Sequence, residues 1–204
     1  MTMIDPRDLG HFYRHFRNFM ANRRVLNEPD GAYDLSEFVR RKAIHVHIPK
    51  AAGSSVNRAL FGSLGGGHRT VAQYKTIFGP HRYDRYFTFA FVRHPVDRLC
   101  SAFYFLKSGG MNETDRKWAE TNLADLRGVD EFVLNWLNED RIWSYYHLRP
   151  QYHFICDRYP RIELDFLGSF ENLHADFVHV ATMMRSEARL GHENRTASVT
   201  GRSE

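Results

Sequence analysis

Apolar residues along this chain switch between helical and alternating spacings, and that switching predicts helices interleaved with strands. Leu9, Phe12, Phe16 and Met20 recur at intervals of three and four and predict a helix over 5–24. His11, Arg14, Arg17 and Arg24 mark its polar side. The stretch 27–33, with Pro29, Asp30 and Gly31, reads as a turn. Residues 43–48, AIHVHI, are short and β-branched and predict a strand that stops at Pro49. A helix is expected from Ser54 to Phe61, with Ser54 as its N-cap. Gly65, Gly66 and Gly67 break the chain before a second helix over 70–78.

Residues 86–92, YFTFAFV, are apolar on both faces, as a central parallel strand would be. Pro95 then opens a helix whose face carries Val96, Leu99, Phe103 and Leu106. A further helix is expected over 129–138, a strand over 164–170 with Gly168 inside it, and a last helical stripe at Leu173, Phe177, Val180 and Met184. This order predicts an α/β fold, a parallel sheet flanked by helices. We expect one domain over 1–204, with 1–40 readable as a helical arm and 191–204 as a polar, mobile tail.

Composition narrows the function. A net charge of +4 suits an anionic ligand and is too small to imply nucleic acid by itself. Two cysteines, Cys100 and Cys156, make no disulfide framework and suggest a reducing compartment. The first residues carry charges where a signal peptide has its apolar core, and no apolar run reaches 18 residues. The expectation is a cytoplasmic protein with no transmembrane segment.

The most informative stretch is 43–55, AIHVHIPKAAGSS, read as strand, tight turn and helix start. A helix start offers unpaired N–H groups and the positive end of a dipole, which together bind anions. Gly53 would let the backbone approach a ligand without a Cβ, Ser54 and Ser55 add hydroxyls, and Lys50 adds a point charge. In a Walker A loop the lysine follows the last glycine, whereas here it precedes Gly53, which argues against a kinase or NTPase.

The stretch 89–105, FAFVRHPVDRLCSAFYF, repeats the architecture. Arg93 sits at the strand end, and Ser101, eight residues on, lies about two helical turns later. Both can face a ligand beside that helix, and the Arg fork suits phosphate oxygens. Asp97 and Arg98 are expected to form structural pairs near the helix start.

Two anion cradles at adjacent strand ends suit a ligand with two separated anionic groups. In these segments, and in LGSFENLHADF (167–177), the chain resembles the PAPS-dependent sulfotransferases, where PAPS is 3′-phosphoadenosine-5′-phosphosulfate. The likeness is strongest to the carbohydrate sulfotransferase group and runs from about 43 to 184. It implies a P-loop-like α/β sandwich, no metal, and PAP (3′,5′-ADP) as product. Lys50, Ala52, Gly53, Ser54 and Ser55 would then hold the 5′-phosphosulfate, and Arg93 and Ser101 the 3′-phosphate. The acceptor would be a hydroxyl, on a carbohydrate or a related alcohol.

Such a transfer needs a base for the acceptor proton, and histidine is the usual one. Among the 12 histidines, His68 follows a flexible glycine run, and GHRTVAQY resembles the stretch with the catalytic histidine of uronyl-type sulfotransferases. Where those relatives carry a second histidine, two positions earlier, this chain has Gly66. His45 and His47 share one strand face, read as a packed or ligand-facing pair because no carboxylate or cysteine cluster accompanies them to hold a metal. Arg149-Pro150-Gln151, after Trp143, Tyr145 and Tyr146, reads either as an acceptor surface or as an interior aromatic cluster. Two other classes stay open: a nucleotide kinase or NTPase, marked by Mg²⁺-ATP dependence, and a non-catalytic nucleotide-binding relative, marked by binding without turnover.

Overall fold

The computed structural model describes residues 26, 33–158 and 161–191. The helix expected over 5–24, most of the turn that follows it, and the polar tail beyond Gly191 lie outside the described residues.

The described chain begins with α1 (Ser36–Arg41), followed by β1 (Ala43–His45), α2 (Gly53–Phe61), α3 (Val71–Phe78), α4 (Pro80–Tyr83) and β2 (Phe87–Val92). Then come α5 (Pro95–Lys107), α6 (Glu113–Asn122) and α7 (Val129–Glu131), which runs into a π-helical turn at Phe132–Trp136. A 3-10 turn at Arg141–Trp143 and the short α8 (Tyr152–Ile155) lead to an antiparallel pair, β3 (Cys156–Arg158) and β4 (Arg161–Ile162). The chain closes with β5 (Phe166–Ser169), a 3-10 turn at Phe170–Asn172 and α9 (Leu173–Met183).

β1, β2 and β5 form a parallel sheet in that order, so the architecture is α/β with a small parallel sheet. β2 is central, and its residues 88–91 are buried on both faces, as its uniformly apolar sequence requires. Phe89 and Phe91 lie on the face of His45, whose ring stacks on Phe89 at 4.8 Å. The main core joins the sheet to Phe38 of α1, Val56 and Leu60 of α2, Tyr74 and Ile77 of α3, and Phe177 and Val180 of α9. A second core lies between α5, α6 and the π-helical turn, around Phe103, Leu106, Leu123 and Phe132. Among the described residues no helix is long and apolar enough to cross a membrane.

Several expectations change. β1 pairs only over Ala43–His45, although the Val46 N–H still donates to the Phe89 carbonyl at 2.8 Å. α2 starts one residue early, with Ala52 rather than Ser54 at the N-cap. Val96 faces out, and the buried side of α5 is Arg98, Ala102, Phe103 and Leu106. Asp97 stands 3.9 Å from His94 at the helix start, whereas Arg98 forms no ion pair among the described residues: it donates to the carbonyls of His147, Leu148 and Arg149 at 2.9, 3.1 and 2.9 Å. Three carbonyls take the place of a carboxylate, and burial lowers its guanidinium to about 10. The helix expected over 129–138 is α-helical for one turn only, and α6 was not anticipated because its sequence is mostly polar.

Candidate active site

Because β1, β2 and β5 run parallel, the turns after them lie at one edge of the sheet. Open α/β sheets bind ligands at this carboxyl edge. Here it opens into a cleft of about 620 Å³. Lys50, Ala52, Gly53, Ser54 and Ser55 line it from the first turn, and Arg93 and Ser101 from the second. The third turn adds Phe170, Glu171 and Asn172, and the chain after α9 returns to the cleft at Leu190 and Gly191. All the residues singled out in the sequence as donor contacts, and His68, therefore border one space.

The first turn is built differently from the sequence expectation. Its left-handed residues are Lys50 (φ 66°) and Ala52 (φ 65°), while Gly53 is the first residue of α2. Left-handed backbone in residues with a Cβ costs on the order of 1–2 kcal/mol each and persists only where the surroundings impose it. Gly53 is required for another reason: a Cβ there would land inside the imidazole of His47. The glycine lets α2 close onto His47, which is a packing role distinct from approach to a ligand. Gly53→Ala is expected to destabilise the fold by about 1–3 kcal/mol, the usual range for overpacking. A thermal melt checks this, and removing the His47 ring in the same chain should restore much of the loss.

The two cations are set up alike. Lys50 Nζ lies 4.0 Å from the centre of the Phe105 ring, and the Arg93 guanidinium lies 4.2 Å from that of Phe170. Among the described residues neither pairs with a carboxylate. Arg93 Nη1 donates to the Lys50 carbonyl at 3.3 Å, and its buried Nε has no partner. Burial, with Arg93 as a second contribution, lowers the Lys50 ammonium to about 8. Both cations are held against aromatic faces and short of negative charge, which an anionic ligand would supply.

Gln151 fixes the backbone of Arg93 by accepting from its N–H at 2.9 Å and donating to its carbonyl at 2.8 Å. Glu171 accepts from the His94 N–H at 2.7 Å. The sequence left the Gln151 segment as an acceptor surface or an interior aromatic cluster, and the structure makes Gln151 a backbone clamp for Arg93, the residue after β2. The aromatic cluster divides. Tyr145 stacks on Trp118 at 4.5 Å beside the second core, whereas the Tyr146 ring lies 5.2 Å from that of His68.

Three imidazoles meet at the cleft. His68 packs 4.3 Å from His47 and 5.3 Å from His147, measured between ring centres. Its Nδ1 lies 3.2 Å from the His47 carbonyl, which can only accept, so Nδ1 carries the proton and Nε2 is left basic. Burial, then the nearby His147, lower the His68 pKa to about 3, far from the ordinary histidine value. His45 is not a site residue. Its Nδ1 donates to Asn57 Oδ1 at 2.7 Å, and Asn57 Nδ2 donates to the Leu64 carbonyl at 2.8 Å, tying strand, helix and glycine loop together. Among the described residues no group of three His, Cys, Asp or Glu side chains is arranged to hold a metal.

His147, Asp115, Phe105 and Phe170 belong to this neighbourhood and were missed in the sequence. His147 sits in HLRP with no glycine, serine or strand edge to mark it, and Asp115 lies in a polar helix.

The carboxyl edge of this α/β sheet thus carries a helix start and two cations that have no carboxylate partner among the described residues, a cleft suited to an anionic ligand. The model of the sulfotransferase family matches residues 38–203, and the chain belongs to that family. Carbohydrate sulfotransferase 14 of Mus musculus and of Homo sapiens are each 28% identical to it over 184 residues, covering 78% of this chain and 48% of the relative. The protein of the same name from Danio rerio is 28% identical over 194 residues, covering 76% and 52%. The chain thus spans about half the length of the curated relatives it matches. No solved structure matches it.

Proposed function

We propose that the chain transfers the sulfuryl group of PAPS to an acceptor hydroxyl, with a carbohydrate as the acceptor class. The observation that carries this reading is the pair of cations, Lys50 and Arg93, each on an aromatic face and without a carboxylate, on one cleft at neighbouring strand ends. Membership of the sulfotransferase family supports the chemistry, and the name of the carbohydrate sulfotransferases supports the acceptor class. We read the scaffold as P-loop-like, with lysine placed before the helix rather than at its start.

In this reading the N–H groups of Gly53, Ser54 and Ser55 and the Lys50 ammonium hold the 5′ end of the donor, and Arg93 and Ser101 hold the 3′-phosphate. The acceptor oxygen bonds to sulfur as the bridging S–O bond breaks, and the electron pair leaves on PAP. The acceptor proton passes to Nε2 of His68. A pKa near 3, set first by burial, makes His68 a weak base in the bare protein, and an anionic donor beside Lys50 offsets the smaller part that the Lys50 charge contributes.

Calorimetry with PAP tests the site. The native chain should bind it, and Arg93→Ala should lose at least tenfold in affinity, the order expected for one charge-assisted phosphate contact. Unchanged affinity in Arg93→Ala would remove Arg93 from the site.

A further inference from the structure

Asp115 is a fully buried carboxylate on α6 that lines a side cavity of about 30 Å³ next to the main cleft. Tyr145 and Tyr146 donate their hydroxyls to its Oδ1 at 2.5 and 2.8 Å, and the Met111 N–H donates to Oδ2 at 2.9 Å. His147 Nε2 stands 3.7 Å from Oδ1, an electrostatic contact too long for a hydrogen bond. Among the described residues no Lys or Arg forms an ion pair with it. Burial alone would raise this carboxyl, but the surrounding donors overcome that and hold it below the usual carboxylate range. Its donors favour the charged form, and no ion pair with a Lys or Arg among the described residues offsets that charge.

Its surroundings point to the missing cation. Two of the rings that meet Asp115, Tyr146 and His147, are the same two that pack against His68, at 5.2 and 5.3 Å. His47 fills the other contact. Arg98 holds the His147 carbonyl, so the arrangement is braced from α5. Asp115 favours protonation of His68, while His147 and, to a smaller extent, Lys50 oppose it.

We propose that Asp115 is a positioning residue for transfer, acting through His147 as the counter-charge to the His68 imidazolium, with the Tyr146 hydroxyl partly screening the carboxylate. The inference rests on the sulfuryl-transfer reading above. When the acceptor O–H proton moves to His68 Nε2, that ring gains a unit of positive charge in a buried setting already bearing Lys50. Asp115 supplies the fixed negative charge that offsets it, and such preorganised charge counts most where charge develops. His147 keeps the geometry, with its buried Nδ1 unpartnered and its other nitrogen facing the carboxylate.

Asp115→Asn keeps the shape and removes the charge. It should bind PAP as the native chain does, keep KM for PAPS, and lose about 10–100-fold in kcat, less than the roughly 10²–10⁴-fold a general base itself contributes because Asp115 acts through that base. The acid limb of the pH profile of kcat at saturating PAPS should move to lower pH, by about one unit for a lost neighbouring charge. Tyr146→Phe strips one donor from the carboxylate and should move the same limb to higher pH. A structural tie alone predicts no such opposite pair of shifts. Native kcat and an unmoved limb in Asp115→Asn overturn the assignment. Should that variant fail to fold, an unmoved or downward limb in Tyr146→Phe overturns it instead. If the native chain transfers nothing from PAPS, the functional reading fails and takes this inference with it. Transfer by the native chain with both limbs unmoved refutes Asp115 alone.

Discussion

Lys50→Ala is expected to lower turnover with PAPS by about 10²–10³-fold, the usual loss for one preorganised donor at a developing charge. The leaving 5′-phosphate gains negative charge as the S–O bond breaks, and Lys50 is the one ammonium lining that turn. It has no carboxylate to release, so its attraction is directed at the ligand. Its depressed pKa adds a second signature. Below about 8 the ammonium is protonated and attracts the donor, and above that value the charge is lost. Affinity for PAP should therefore fall as pH rises past 8 in the native chain and stay flat in Lys50→Ala. Near-native turnover in the variant, or a parallel pH response in both, would mean that another group carries the charge.

Acid should unfold the bare protein well before its carboxylates titrate fully. His45 is lowered to about 4 and His68 to about 3, chiefly by burial, and His47 is lowered well below its ordinary value from the same cause. A histidine whose folded pKa lies below its unfolded value of 6.5 binds fewer protons folded than unfolded between those values. Its stabilisation is complete above pH 6.5 and is lost as pH falls toward the folded value. At pH 5, His45 and His68 together remove about 4 kcal/mol, from the roughly 1.4 kcal/mol per pH unit that each contributes. That is a large share of the 5–15 kcal/mol typical of a domain. Denaturant melts at pH 7.5, 6 and 5 should show midpoints falling steadily, and saturating PAP should oppose the fall. Equal midpoints at pH 7.5 and 5 would contradict the buried neutral imidazoles.

Much of the scaffold was legible because its cues are local. A β-branched run before Pro49, an apolar run through Val92 and Pro95 at a helix start predict strand and helix whatever lies around them. The first turn of the cleft was legible for the same reason, since lysine, glycine and two serines lie within six residues. Local cues misled where neighbours decide. Ser54 is a good N-cap by type, yet the chain caps with left-handed Ala52, because α2 must close over His47. Arg98 was expected in a structural pair near the helix start, yet it turns inward to three carbonyls about fifty residues away.

The amino-acid sequence by itself determined the three strands of the parallel sheet, the helices that open after the first two of them and the family pattern of the turns between, since each depends on residues close together in the chain. Only the tertiary structure decided which histidines meet, what reaches Arg93 and where a buried negative charge stands. His68, Asp115 and His147 are separated by dozens of positions, and each by itself is an ordinary polar residue. Their chemistry comes from shared burial, which sets pKa values through distance and desolvation rather than through spacing along the chain.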